Sequence, residues 1–348
     1  MKTELSHGDQ LYALMLGSAV GDAIGLPREG LTPTRAAKLF PGKLRHAFIG
    51  STGFFSDDTE HMWMTAWACI DAQQHPARFE KSLARRMRWW LLRLPAGVGL
   101  ATLRSIVKHA FGARRGVYSA GNGPAMRAPI LGVLFRNDPK QLRNFVWSST
   151  RLTHMDPRAG LGAMAVAVAA SAASRADFTP EALLKLWMQH VENWDLLPML
   201  QRTLDMAGSN AENAAFLREF QLHRGVTGYI YHTVPAAMFC WLKHRHDYRA
   251  ALEAVMELGG DTDTVGAIVG ALTGLSAGVS SIPSEWIERL KDWPVTPERL
   301  RILATALAEN TRPNGLQGFR FGTCQFLRNL IFIPIVLGHG FRRLAPPY

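Results

Sequence analysis

Gly17, Gly21 and Gly25 recur at intervals of four residues, and Gly266, Gly270 and Gly274 repeat that spacing far along the chain. On an α-helix this keeps the glycines on one face, where a hydrogen atom replaces each side chain. Two such faces let helix backbones approach more closely than larger residues would permit. The two series therefore predict that the first helix and the helix around residue 270 meet deep in the core, with axes no more than about 10 Å apart. A membrane reading fails for the first series, because Asp22 interrupts a run already too short to span a bilayer. Gly17 to Gly25 does not match GxGxxG either, so a dinucleotide fold gains no support.

The rest of the pattern is helical. Apolar residues spaced by three and four recur over 8–20, 59–74, 79–93, 159–174, 181–192, 234–258, 264–278 and 297–309, whereas period-two strands are scarce. Breaks at 25–33, 50–56, 95–99, 112–124, 155–160 and 281–294 contain Gly or Pro but are too short to be domain linkers. With 348 residues and 47% hydrophobic composition the chain can bury one large core. The expectation is an all-α domain over residues 1–310, followed by a distinct tail over 311–348.

That tail has Arg312, Arg320, Arg328, Arg342 and Arg343 but no acidic residue, around an apolar run, Leu330–Leu337, that Pro334 breaks. Eight apolar residues cannot cross a bilayer as a helix, so no transmembrane segment is expected. The tail either docks onto the domain or contacts a partner or membrane surface.

Charge is unevenly spread. Between Lys81 and Arg158 there are 15 Lys and Arg against Asp138 and Asp156, a balance of +13, while the remainder has 24 basic and 26 acidic residues. Such a block either attracts a polyanion or forms solvated helix faces. No nucleic-acid recognition motif accompanies it, so nucleic acid is not expected as a partner. Cys69, Cys240 and Cys324 are scattered and form no CxxC pair, and the first fifteen residues show no secretory signal. A reducing cytoplasm is the expected setting.

Two acidic clusters precede apolar helices: Ser56-Asp57-Asp58-Thr59-Glu60 and Gly259-Gly260-Asp261-Thr262-Asp263-Thr264. N-capping is one explanation, and Asp57 with Glu60 fits a capping box. Capping needs only one such residue at each helix, however, and crowded carboxylates repel one another unless a cation compensates them. Hard oxygen donors without His or Cys favour Mg²⁺ over zinc, with Mn²⁺ an acceptable substitute. Two ions about 4 Å apart could share carboxylates from both clusters.

These segments form part of a wider pattern. Gly21-Asp22-Ala23-Ile24-Gly25 with Glu29, Ser56-Asp57-Asp58-Thr59, Gly121-Asn122-Gly123-Pro124-Ala125-Met126-Arg127, Thr153-His154, Gly228-Tyr229 and Gly260-Asp261-Thr262-Asp263-Thr264 occur in an order and separation that resemble the ADP-ribosylglycohydrolase family. The similarity covers roughly residues 10–280. It implies an all-α fold with two Mg²⁺ ions and ligand positions at Ser56, Asp57, Asp58, Asp261, Asp263 and Thr264. Ser56 replaces the threonine found in most members, which preserves the hydroxyl.

The resemblance also implies a catalytic set of Glu29, Asp58 and Asp261, with Glu29 orienting substrate or water or accepting a proton. Gly121, Asn122 and Gly123 match the family's substrate loop, where small residues let backbone N–H groups approach ribose and phosphate. Arg127 either neutralises phosphate or faces solvent. His154 either hydrogen-bonds the nucleotide or is structural, and Tyr229 either stacks on adenine or belongs to the core. The implied reaction is hydrolysis at ribose C1, releasing ADP-ribose from a modified protein, with an arginine side chain as the first choice of acceptor. The alternative is an immunity-type protein that occludes an ADP-ribosyltransferase toxin, with or without hydrolysis.

Overall fold

The computed structural model describes residues 6–113, 115–191, 195–343 and 345–346. In chain order its helices are α1 (His7–Gly25), α2 (Pro33–Leu39), α3 (Asp57–Ala72), α4 (Pro76–Leu91), α5 (Leu100–Ala110), α6 (Gly123–Met126), α7 (Ala128–Leu134), α8 (Pro139–Arg151) and α9 (Pro157–Ala173). They continue with α10 (Pro180–His190), α11 (Leu196–Gly208), α12 (Asn213–Glu219), α13 (Ile230–Lys243), α14 (Tyr248–Leu258), α15 (Thr262–Ala277), α16 (Ser284–Glu288), α17 (Pro297–Ala308) and α18 (Phe319–Arg342). Among the described residues extended segments meet only in isolated bridges, so the fold is all-α, as the periodicity predicts.

The two glycine series form the central seam. A Cβ on Gly21 would stand 2.0 Å from the carbonyl oxygen of Gly266, and one on Gly17 would stand 2.2 Å from that of Gly270. From the other side, a Cβ on Gly274 would reach 2.4 Å from the carbonyl oxygen of Ala13. Backbone therefore packs on backbone, and α1 and α15 are buried on all sides for most of their length. Helices α9, α13 and α14 surround α15, while α3 and α17 flank α1. The Tyr248 hydroxyl crosses from α14 to donate to the Gly17 carbonyl at 2.5 Å.

Two readings of the chain need correction. The continuous pattern over 234–258 is two helices, α13 and α14, because Asp247 accepts from the Ala250 N–H and starts a new helix. Apolar spacing stays in phase across so short a turn and conceals it. The tail differs more. Its apolar run belongs to a 24-residue helix, α18, and Pro334 lies inside without ending it. Leu330, four residues earlier, is exposed, so water can take up the carbonyl that Pro334 leaves unpaired.

By length and composition alone α18 could cross a membrane, but one of its faces docks onto the domain. The Arg328 guanidinium pairs with Asp292 at 2.5 Å and donates to the Phe55 carbonyl at 2.7 Å, with both charged partners almost wholly buried. Gln325 donates to Glu60 at 2.9 Å, Asn329 donates to the Arg93 carbonyl at 2.8 Å, and Phe332 stacks on Phe48.

The seam implies a sharp sensitivity. Gly21→Val is expected to cost at least about 3 kcal/mol in denaturant unfolding, because rigid backbone must move to admit the side chain. Gly338→Ala, where no atom lies within 4 Å of the new Cβ, is expected to be neutral or to stabilise by up to about 1 kcal/mol. Equal effects would contradict the role of the seam.

Candidate functional site

The site begins with Asp22, buried in α1. Its carboxylate accepts from the Ser56 N–H at 2.8 Å, the Thr59 N–H at 3.0 Å and the Thr59 hydroxyl at 2.6 Å. It thereby fixes the N-terminus of α3 against α1, since those N–H groups have no partner within the helix. Ser56 is the N-cap, its hydroxyl accepting from the Asp58 N–H at 3.2 Å and donating to the Asp58 carboxylate at 3.0 Å. Burial raises the Asp22 pKa to about 7 despite these hydrogen bonds.

The second cluster arrives through α15. Its leading Gly259 and Gly260 have φ of +65° and +79°, and a Cβ on Gly260 would fall 1.9 Å from the Val226 carbonyl oxygen. That approach stitches several loops together. Gly260 donates to Leu31 (2.8 Å), Gly30 donates to Gly260 (2.7 Å), Asp261 donates to Val226 (2.9 Å) and Asn122 donates to Gly228 (3.0 Å), all through backbone groups. The loops bearing Glu29, Asn122, Gly228 and Asp261 thus share one network. Thr262 closes the end of α1 by donating to the Gly25 carbonyl at 2.9 Å.

A cleft of about 610 Å³ opens at this junction. Ser56, Asp57, Asp58, Asp261, Asp263 and Thr264, drawn from sequence segments some two hundred residues apart, all line it, together with Glu29. Thr264 on α15 donates to Asp58 on α3 at 3.2 Å. Asn122 donates its amide to Asp261 at 2.6 Å and to the Thr233 hydroxyl at 2.9 Å. Gly121, Gly123 and His154 lie along the same cleft.

Electrostatics set the donor set apart from ordinary helix caps. Burial, reinforced by neighbouring carboxylates, raises Asp57, Asp58 and Asp263 well above the usual carboxylate range. Asp58 Oδ1 and Asp263 Oδ1 are buried without a hydrogen-bond partner. Such orphaned anionic oxygens are costly unless a cation or proton meets them. As placed, the described residues contain no trio of carboxylates, imidazoles or thiols drawn closely enough to grip an ion. Their all-oxygen chemistry and unpartnered atoms nevertheless fit a hard divalent cation. Glu29 is exposed at the cleft rim but hemmed in by protein on its other sides. That desolvation and the Asp261 charge raise its pKa, against the opposing pull of Arg343.

Several expected roles change with the geometry. Arg127 neither lines the cleft nor faces solvent: it is fully buried, donating to the Ser149 hydroxyl and carbonyl and to the Thr153 hydroxyl, with His61 Nδ1 3.0 Å away. The polar lining of that interior position outcompeted the phosphate role expected from its motif. Tyr229 joins Gly121 through a backbone bridge, but its ring lies outside the cleft lining, against Arg158 and His232. Glu60 forms no capping box, because Trp90 and Gln325 hold its carboxylate. Gly121 and Gly123 also have a packing role, since a Cβ on either would come within about 3 Å of the His154 ring.

The sequence reading missed two residues. Asp22 looked like part of a glycine motif, yet it anchors α3. Among the described residues that line the cleft, Arg224 is the one Lys or Arg; its place just before the Gly225 turn, with φ of +97°, was the available signal.

Comparison with known proteins agrees with this architecture. The sequence profile of the ADP-ribosylglycohydrolase family matches residues 3–317, and the chain belongs to that family. Family membership indicates ADP-ribosyl hydrolase activity. An uncharacterized protein of Archaeoglobus fulgidus is 30% identical over 305 residues, covering 85% of this chain and 94% of its own. The ADP-ribosyl-dinitrogen reductase glycohydrolase of Rhodospirillum rubrum is 26% identical over 320 residues, covering 86% and 96% respectively. Human ADP-ribosylhydrolase ARH3 is 26% identical over 233 residues, covering 59% of this chain and 62% of its own. A solved structure titled ADP-ribosylglycohydrolase-related protein complex superimposes with a TM-score of 0.66 at 27% identity, covering 88% of this chain and 99% of that one.

Two measurements probe the electrostatics. Burial, with the adjacent Arg127 charge, lowers the His154 pKa from 6.5 to about 3. Its NMR ring signals should therefore remain those of the neutral form down to about pH 5. Because unfolded His154 takes up a proton below 6.5 and the folded residue does not, its contribution to stability declines as pH falls through that range. A ring titrating near 6.5 would contradict the placement. Separately, Asp263→Asn removes one charge from the repelling group, and in excess chelator it should raise the melting temperature by about 2–4 °C. A lowered melting temperature would mean that the carboxylate is already compensated within the protein.

Proposed function

We propose that the protein removes ADP-ribose from modified proteins by Mg²⁺-dependent hydrolysis at ribose C1, with arginine-linked ADP-ribose as the leading substrate. The observation that carries this reading is the convergence of two distant acidic segments on one cleft floor, with buried carboxylate oxygens that lack partners. Ser56, Asp57, Asp58, Asp261, Asp263 and Thr264 would hold two Mg²⁺ ions, or Mn²⁺. When bound, these would supply positive charge that orients ribose hydroxyls and makes water more acidic.

The remaining chemistry belongs to the chain. Hydrolysis breaks the bond from C1 to the acceptor nitrogen, adds the hydroxyl of water to C1 and returns a proton to the departing side chain. Glu29, with its raised carboxyl pKa and its place at the cleft rim, suits the task of orienting water and relaying that proton. Asn122 is held by Asp261 and Thr233, which fixes its loop at the cleft beside the ribose position. Arg224 suits the diphosphate role better than Arg127, since it lines the cleft and Arg127 is buried away from it. A reducing cytoplasm suits the unpaired Cys69, Cys240 and Cys324.

Incubation with proteins carrying arginine-, serine- or glutamate-linked ADP-ribose, with and without Mg²⁺, tests activity, linkage and metal together. Release from the arginine-linked protein is expected only with Mg²⁺, and Asp261→Asn and Asp263→Asn should abolish it while the fold persists. Glu29→Gln should slow turnover by about 10²–10⁴-fold, whereas Arg224→Ala should act chiefly on KM. Full activity in excess chelator would overturn the mechanism.

A further inference from the structure

Helix α18 is amphipathic in the inverted sense. Its polar residues Gln325, Arg328, Asn329 and His339 face the protein, where each has a partner. Its solvent side carries Phe319, Leu327, Leu330, Ile331, Leu337 and Phe341, with Phe319 90% and Phe341 70% exposed. At 100° per residue these six fall within one arc, forming a stripe about 33 Å long. Charge appears only near the ends, as exposed Arg320 and Arg342. Exposed Trp89, which shares a groove with Phe319, extends the apolar surface onto α4 beside the basic Arg85 and Arg93. A soluble helix in water would present the opposite pattern.

We propose that the α18 stripe seats the protein on a membrane surface bearing anionic headgroups, with the helix axis in the plane of the interface. The charge pattern selects this occupant. No Asp or Glu follows Glu309, so a second copy meeting the stripe around a two-fold axis would bring arginines together without carboxylates to pair them. An anionic lipid surface complements those arginines, while the acyl region accepts the Leu, Ile and Phe side chains. Spanning is excluded by the docked face, because insertion would tear Arg328 from its buried partner Asp292. The same helix lines the cleft through Phe332 and Val336 on its opposite face, so the proposed membrane face and the cleft wall share one helix. Helix α18 also begins beyond residue 317, where the family match ends.

Co-sedimentation of the full chain with phosphatidylcholine vesicles, with and without phosphatidylglycerol, tests the proposal. The wild type is expected to bind the mixed vesicles at least about tenfold more tightly than phosphatidylcholine alone. Combining Leu330→Asp with Leu337→Asp should reduce binding by about tenfold or more, with unchanged circular dichroism because both sites are exposed. Combining Arg320→Ala with Arg342→Ala should weaken the preference for phosphatidylglycerol, and it keeps the test decisive if the aspartate variant misfolds. The proposal is overturned if the wild type binds neither vesicle, if the arginine variant keeps the full preference, or if the wild type is a dimer that the aspartate variant splits.

Discussion

Everything in the site depends on contact between the backbones of α1 and α15. Helices separated by ordinary side chains stand 8–10 Å or so apart; here glycines face carbonyl oxygens so closely that even a methyl group would overlap them. The contact has two effects. It buries both helices on all sides, and it brings the end of α1 against the start of α15, where Thr262 donates to the Gly25 carbonyl. The acidic cluster opening α15 therefore meets the one opening α3, which Asp22 holds from the last turn of α1. A cleft lined by residues from both ends of the domain follows from this chain of contacts.

The resulting floor is electrostatically unfavourable as it stands. Asp57, Asp58 and Asp263 lose hydration together and repel one another, and two of their oxygens have no partner. Residues chosen for stability alone would not be arranged this way, since one cap at each helix would suffice. The surrounding scaffold carries the cost through an extensive buried core and loops joined by backbone hydrogen bonds. Local strain of this kind belongs with a binding or catalytic role.

Helix α18 shows a related exchange between solubility and position. Its buried ion pair and amide contacts secure it to the domain, while its apolar side faces outward. Docking makes it a wall of the cleft through Phe332 and Val336. The exposed stripe then becomes a property of the whole enzyme surface rather than of a loose tail.

Much of this was legible in the sequence for physical reasons. The helical period, the paired glycine spacing and the clustered hydroxyl and carboxylate donors are local patterns, and they identified the all-α fold, the seam and the acidic lining. Helices α5, α8 and α11 lay outside the periodic stretches although their apolar faces are as distinct as that of α4, and the α13–α14 break was hidden because spacing stays in phase across it. Burial was beyond reach, since it depends on which distant segments surround a residue. The tertiary structure alone decided that Arg127 lies inside the core while Arg224 reaches the cleft, and that Glu60 serves Trp90 and Gln325. It alone also turned the polar side of α18 inward. The sequence by itself determined which chemical groups are present and which share a helix face; only packing decided which of them meet each other and which meet water.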